Sequence, residues 1–140
     1  MPASAHTVGV QYVVSPGITP AESFFTLLPC RVLDTRTGSP LSSQVARTVP
    51  VAGLCGVPAS AKAVAVNLTV VLPTGDGHLT LWPGGAKPAV SAINFRAGWV
   101  RANNAVLPLA SDASGTLLAE PFLANGGTVH LLIDVVGYFE

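Results

Sequence analysis

The stretch KAVAVNLTVVL, Lys62 to Leu72, decides the fold. Read as a strand, it sends Val64, Val66, Leu68 and Val70 to one face. Ala63, Ala65, Asn67, Thr69 and Val71 go to the other, which is also small and mostly apolar. A strand apolar on both faces belongs in the middle of a sheet covered on both sides. The chain ends in a stretch of the same character, TVHLLIDVVGYF, Thr128 to Phe139. Its alternate residues Val129, Leu131, Ile133 and Val135 share one face, and His130, Leu132, Asp134 and Val136 share the other. The two stretches are expected to lie near each other in the sheet centre.

Working outward from this centre, short β-rich segments alternate with breakers. Ser23–Leu28 and Cys30–Arg36 read as two extended pieces separated by Pro29, and Arg47–Val51 reads as a short strand. Pro73-Thr74-Gly75-Asp76-Gly77 is a hairpin signal, because Asp-Gly offers the positive φ that tight turns demand, and His78–Trp82 is the returning strand. Val90–Phe95, Ala105–Leu109 and Thr116–Glu120 follow, with Pro108 suggesting an edge or a bulge. No segment holds a helical period. Twelve prolines and fourteen glycines punctuate the chain at the spacing of many short strands. The expected fold is all-β, a single-domain, jelly-roll-like β-sandwich of about eight to ten strands. Residues 23–140 form this module. Residues 1–22 are an extension carrying one amphipathic strand, His6–Val14 (HTVGVQYVV).

At 140 residues the chain is one domain with room for a core. Charged residues make up only 10%, against about 25% in typical soluble domains. So few charges mean either a surface coated with Ser, Thr, Asn and Gly, or one partly buried against other copies. Seven basic and seven acidic residues cancel without clustering, which argues against a nucleic-acid partner. No apolar run reaches the roughly 18 residues of a membrane span. The first ten residues, MPASAHTVGV, lack the basic and apolar regions of a secretory signal.

The polar residues that stand out are Asp34, Arg36, Asn67, Asn94, Arg101, Asn103, Asn104 and Asp134. One reading is a ligand site. The other, preferred, is a structural network in which Arg36 or Arg101 forks onto Asp34 or Asp134. His78, Thr80 and Trp82 share a strand face, and Trp99 sits in a turn near Arg101. An exposed tryptophan beside His78 would suit a sugar ring; a tryptophan packed under a loop is the more ordinary reading. Catalysis has little support: no Gly-x-Ser-x-Gly elbow exists, and His6, His78 and His130 lack metal-ligand spacing. No cofactor is implied. Cys30 and Cys55 are the only cysteines and could form one disulfide or remain two buried thiols.

Several landmarks recur in a known order: PCRVLDTR (29–36), CGVP (55–58), AVAVNLT (63–69), GHLTLWPG (77–84), NF (94–95), RANNA (101–105) and IDVVGYF (133–139). Together they resemble a repeated β-rich module of large secreted and surface proteins of bacteria. The resemblance covers about Phe24 to Phe139 and leaves residues 1–22 outside. It implies export to the cell surface or beyond, and with it a Cys30–Cys55 disulfide. It implies no defined activity.

The expected function is therefore a non-catalytic, extracellular structural or interaction module that associates with further copies. Exchange of the His6–Val14 strand between copies would give a ring or a filament. The alternative is a module that binds cell-surface glycan through His78, Trp82 or Trp99.

Overall fold

The computed structural model describes residues 23–140, so the expected strand at His6–Val14 lies outside the described residues. Nine strands follow in order. They are β1 (Phe24–Asp34), β2 (Leu41–Ser42), β3 (Arg47–Pro50), β4 (Ala63–Val71) and β5 (Gly77–Trp82). β6 (Ile93–Phe95), β7 (Arg101–Pro108), β8 (Thr116–Leu123) and β9 (Thr128–Phe139) complete the set. A single 3-10 turn, Thr35–Thr37, follows β1.

One sheet has the order β1-β9-β4-β7, with β2 on a further stretch of β9, and the other has the order β3-β8-β5-β6. Every pairing is antiparallel. Successive strands alternate between the two sheets over much of the chain, and the first and last strands lie side by side. This is the strand order of a jelly roll, two Greek keys wrapped into a sandwich. β4 and β9 sit centrally and pair from Ala63 and Phe139 to Val71 and His130, with a bulge at Val136, as their shared apolar character predicts.

The core is the interface between the sheets. Val64, Val66, Leu68 and Val70 of β4 meet Leu79 and Leu81 of β5 and Leu117, Ala119 and Leu123 of β8, all buried. Val129, Leu131, Ile133 and Val135 of β9 fill the rest of the first sheet's inner face. Alternation at a period of two puts one branched side chain inward at every second position, which suits a layer about 10 Å thick.

The expectation that β4 is covered on both sides is corrected here. Ala63, Ala65, Asn67, Thr69 and Val71 form a half-buried outer face with no third layer over it among the described residues. The expected hairpin at residues 73–77 is also corrected. β4 already has β7 and β9 as neighbours, so the segment carries the chain across to the second sheet, where β5 pairs with β6 and β8. Gly77 is needed for close approach: a Cβ there would overlap the Phe122 carbonyl oxygen of β8.

Other boundaries moved for simple reasons. Pro29 does not divide the first segment, because β1 is an edge strand and its pairing with β9 shifts register between Thr26 and Cys30. β7 begins at Arg101, earlier than its apolar run, because pairing with β4 extends to Arg101. β6 is shorter than expected, since residues 90–92 belong to a loop that folds over β5.

Candidate functional site

The polar residues of the apolar strands line up. Arg31 of β1 stands opposite Asp134 of β9, Asp134 opposite Asn67 of β4, and Asn67 opposite Asn104 of β7. The four make one row across the outer face of the first sheet. Cross-strand neighbours of this kind are the elementary contacts of a sheet, so each polar group lies beside another.

At the β1 end the row becomes a chain of alternating charges. Arg31 forks onto Asp134, Nε to Oδ1 at 2.7 Å and Nη2 to Oδ2 at 3.0 Å. Its Nη1 also donates to Asp34 at 3.4 Å. Arg36 forks onto Asp34, Nε to Oδ1 at 2.9 Å and Nη2 to Oδ2 at 2.7 Å, and its backbone N–H caps the same carboxylate at 3.0 Å. Beside this, the buried Thr35 hydroxyl accepts from the Leu131 N–H at 2.9 Å and shares a hydrogen bond with His130 Nδ1 at 3.0 Å. His130 and both aspartates are thus held in structural contacts.

These contacts set the protonation of Asp34. The Arg36 side-chain hydrogen bond, opposed by partial desolvation, holds its carboxyl well below the usual carboxylate range. The Arg36 backbone N–H and the charges of Arg36 and Arg31 add to the effect. A carboxyl whose folded pKa lies below its unfolded value of about 3.9 stabilises the fold above that pH. The stabilisation is lost as pH falls through the lower folded value. Asp34→Asn is therefore expected to melt at lower temperature than wild type near neutrality. Below about pH 4 the gap should narrow progressively as the pH falls toward the lowered folded value. Thermal melts across pH 2 to 7 check this, and a constant gap between the proteins would contradict it.

Arg36 meets Asp34 as the sequence suggested, but the partner of Asp134 is Arg31, which sequence reasoning passed over. Arg101 takes no part, being on β7 at the far edge of the sheet. Asn67 Nδ2 donates to Thr69 Oγ1 at 3.3 Å. Asn103 Nδ2 donates to the Ala92 carbonyl at 2.7 Å, tying β7 to the approach of β6. Asn94 stands apart on β6, opposite His78. The eight residues therefore do not converge on one ligand site.

To one side of the polar row the outer face is apolar. Ala65 stands opposite Val106, and Val106 and Val136 are 59% and 37% exposed. Next to them, a Cβ on Gly137 would strike the Phe24 ring, so the absence of a side chain there lets that ring approach the Gly137 backbone. Phe24 packs against Phe139 with ring centroids 4.9 Å apart, and Phe24 itself is 48% exposed. Ala63, opposite Pro108 and Phe139, completes a patch without a charged side chain.

The second sheet carries a shallow groove on its outer face. His78 stacks on Phe122 with centroids 5.4 Å apart, and Lys87 bridges to Glu120 at 2.6 Å. Trp82 does not join a sugar platform: it is buried under the 83–92 loop and its indole N–H donates to the Gly85 carbonyl at 3.3 Å. Thr80 is buried beside it and donates to the Val90 carbonyl at 2.8 Å. Trp99, by contrast, is exposed at one end of the sandwich.

Cys30 and Cys55 are joined by a disulfide, tying β1 to the 51–58 turn region. Among the described residues no three His, Cys, Asp or Glu side chains gather as a metal site, and no helix is long and apolar enough to cross a membrane.

No family model matches the sequence, and no curated protein matches it. Among solved structures, the chain is similar to the coat protein of Tobacco streak virus in its C2 crystal form. That match has a TM-score of 0.47 at 13% identity and covers 87% of this chain and 90% of that one. It is similar also to the dimer of the same coat protein, with a TM-score of 0.46 at 14% identity, covering 89% of this chain and 90% of that one.

Proposed function

We propose that this chain is a non-catalytic structural module of an exported bacterial protein, and that it packs against further copies of itself. The observation that carries the reading is the uncharged patch of Phe24, Ala63, Ala65, Val106, Val136 and Phe139 on the outer face of the first sheet. Exposed apolar area rimmed by polar groups is characteristic of interaction surfaces. A formal net charge of zero removes the repulsion that would keep copies apart. The Cys30–Cys55 bond and the resemblance to a secreted module support an oxidising, extracellular setting. The polar row supports the non-catalytic reading, since its aspartates and His130 are engaged in holding strands and a turn.

Face-to-face packing gives a two-fold contact; exchange of residues 6–14 onto a neighbour's open sheet edge gives a head-to-tail one. The edge of β7 is open to the second among the described residues, because β7 ends the first sheet with β4 as its one neighbour, and Pro108, which has no N–H, would limit the pairing to the residues before it. Light scattering on the full chain, on Val106→Lys and on a chain lacking residues 1–14 separates the two. Wild type is expected to exceed the 14.2 kDa of one chain as concentration rises. Val106→Lys should return the mass to monomer if the face is the contact, and the truncation should do so if the strand is. A wild type that stays monomeric at high concentration overturns the proposal.

A further inference from the structure

One end of the sandwich, where β5 and β7 begin and β6 ends, holds an open cleft of about 460 Å³. Asp76, Asn94, Arg96, Trp99 and Arg101 supply its polar and aromatic lining. It shares no residue with the self-association patch, so the two readings stand or fall separately.

The turn that carries Trp99 is braced. Trp99 N–H donates to the Arg96 carbonyl at 3.1 Å, and Gly98 N–H donates to the Pro73 carbonyl at 2.8 Å. Ala97 N–H donates to Asp76 Oδ1 at 2.8 Å. Gly98 has a φ of 74°, a left-handed conformation that glycine adopts without strain. A backbone braced in this way loses little freedom when something stacks on the ring it carries. Yet Trp99 is 58% exposed, unusual for a side chain that is normally well buried, and Val100 beside it is 62% exposed.

The charges around the ring are unbalanced. Arg31, Arg36 and Lys87 account for the salt bridges among the described residues, so Arg96 and Arg101 have no ion-pair partner there. Asp76 is the only carboxylate in the lining, and one of its oxygens is occupied by the Ala97 N–H. Two arginines without an ion-pair partner thus line the same cleft as an exposed tryptophan and Asn94.

We propose that this cleft binds acidic saccharides. The indole face takes the apolar face of a sugar ring, as amphipathic aromatic side chains do. Arg96 and Arg101 pair with the carboxylate or sulfate of the sugar, where the planar fork of arginine gives directional, charge-assisted bonds. Asn94 is placed to hydrogen-bond a hydroxyl. The balance of two arginines against one engaged carboxylate favours an anionic sugar over its neutral parent.

The test is an array of uronic, sialylated and sulfated oligosaccharides printed beside their neutral parents, probed with the full chain. Tryptophan fluorescence titration with the best acidic oligosaccharide follows. Because Trp82 is buried, the change reports Trp99. Acidic saccharides are expected to bind about tenfold or more tightly than their neutral parents, and to weaken at high salt. Read on the array, which does not depend on the indole signal, Trp99→Ala should abolish binding, and Arg101→Gln should weaken it about tenfold toward the acidic ligand. Both residues are exposed, so both variants are expected to keep the wild-type melting temperature and mass. The proposal is overturned if no acidic saccharide exceeds its neutral parent, or if binding survives Trp99→Ala in a variant that melts as wild type does. Equal competition by an acidic peptide would assign the cleft to peptides and overturn it too.

Discussion

Leu68→Ala is expected to lower the stability of the fold by about 3 to 5 kcal/mol, while Asn67→Ala, one residue away, lowers it by about 1 kcal/mol. Leu68 is fully buried at the centre of β4, paired with Ile133 on one side and Asn103 on the other, and faces the second sheet. Truncation leaves a cavity that rigid strands on both sides cannot close, so the transfer and cavity terms add. Asn67 lies on the half-buried outer face, and removing its amide loses one long hydrogen bond to Thr69. A domain of this size has about 5 to 15 kcal/mol in all, so the first change takes a large part of it. Equilibrium denaturation in guanidinium followed by circular dichroism checks both, with an unchanged slope required. The pair also tests register. A slip of β4 by one residue would turn every side chain to the other face and reverse the order of the two effects.

The same strand shows how far the sequence could be read. Alternation along Lys62–Leu72 gives the right inward residues, Val64, Val66, Leu68 and Val70, because a two-residue period has a single geometric consequence. What it could not say is whether the other face is covered. Alanine and threonine are small enough to sit under a neighbouring layer or to remain half-exposed, and burial on that side depends on what packs there. The Asp76-Gly77 signal failed for a related reason. It marks a change of direction correctly, but whether the chain returns beside β4 or crosses to the other sheet depends on β7 and β9, which are distant in sequence.

The polar residues follow the same division. Each was conspicuous alone, as Asn67 and Asp134 are within apolar strands, and Arg36 lies two residues from its partner Asp34. The Arg31–Asp134 pair spans 103 positions, so only the β1–β9 register brings it together. Trp82 and Trp99 show the limit for aromatic residues. Both stand near polar neighbours and loops in the sequence, yet the 83–92 loop covers one while the braced 96–99 turn presents the other.

Removing the Cys30–Cys55 bond by a double change to alanine is expected to lower stability by about 3 to 4 kcal/mol. The two residues are 25 positions apart, and the Cα atoms lie 5.6 Å from each other. In the chain-entropy account, opening a loop of that length returns conformational freedom mainly to the unfolded chain, which gives the size of the effect. The bond has a local role as well. β1 is an edge strand, its pairing with β9 is interrupted between Thr26 and Cys30, and Leu27 in the interruption lies near Gly56 of the bridged turn. Without the bond, the first half of β1 keeps the pairs from Phe24 to Thr26, the Ser23–Glu140 backbone hydrogen bonds, and the contacts of Phe24 with Phe139 and of Phe25 with Tyr138. Losses should therefore concentrate there, and amides of residues 24–30 should exchange faster than those of β4 and β9. For a chain of this length the melting temperature should fall by about 10 to 15 °C. A thiol assay on denatured, unreduced wild type should find no free cysteine. Two titratable thiols, or a double variant that melts as wild type does, would falsify the role given to this bond.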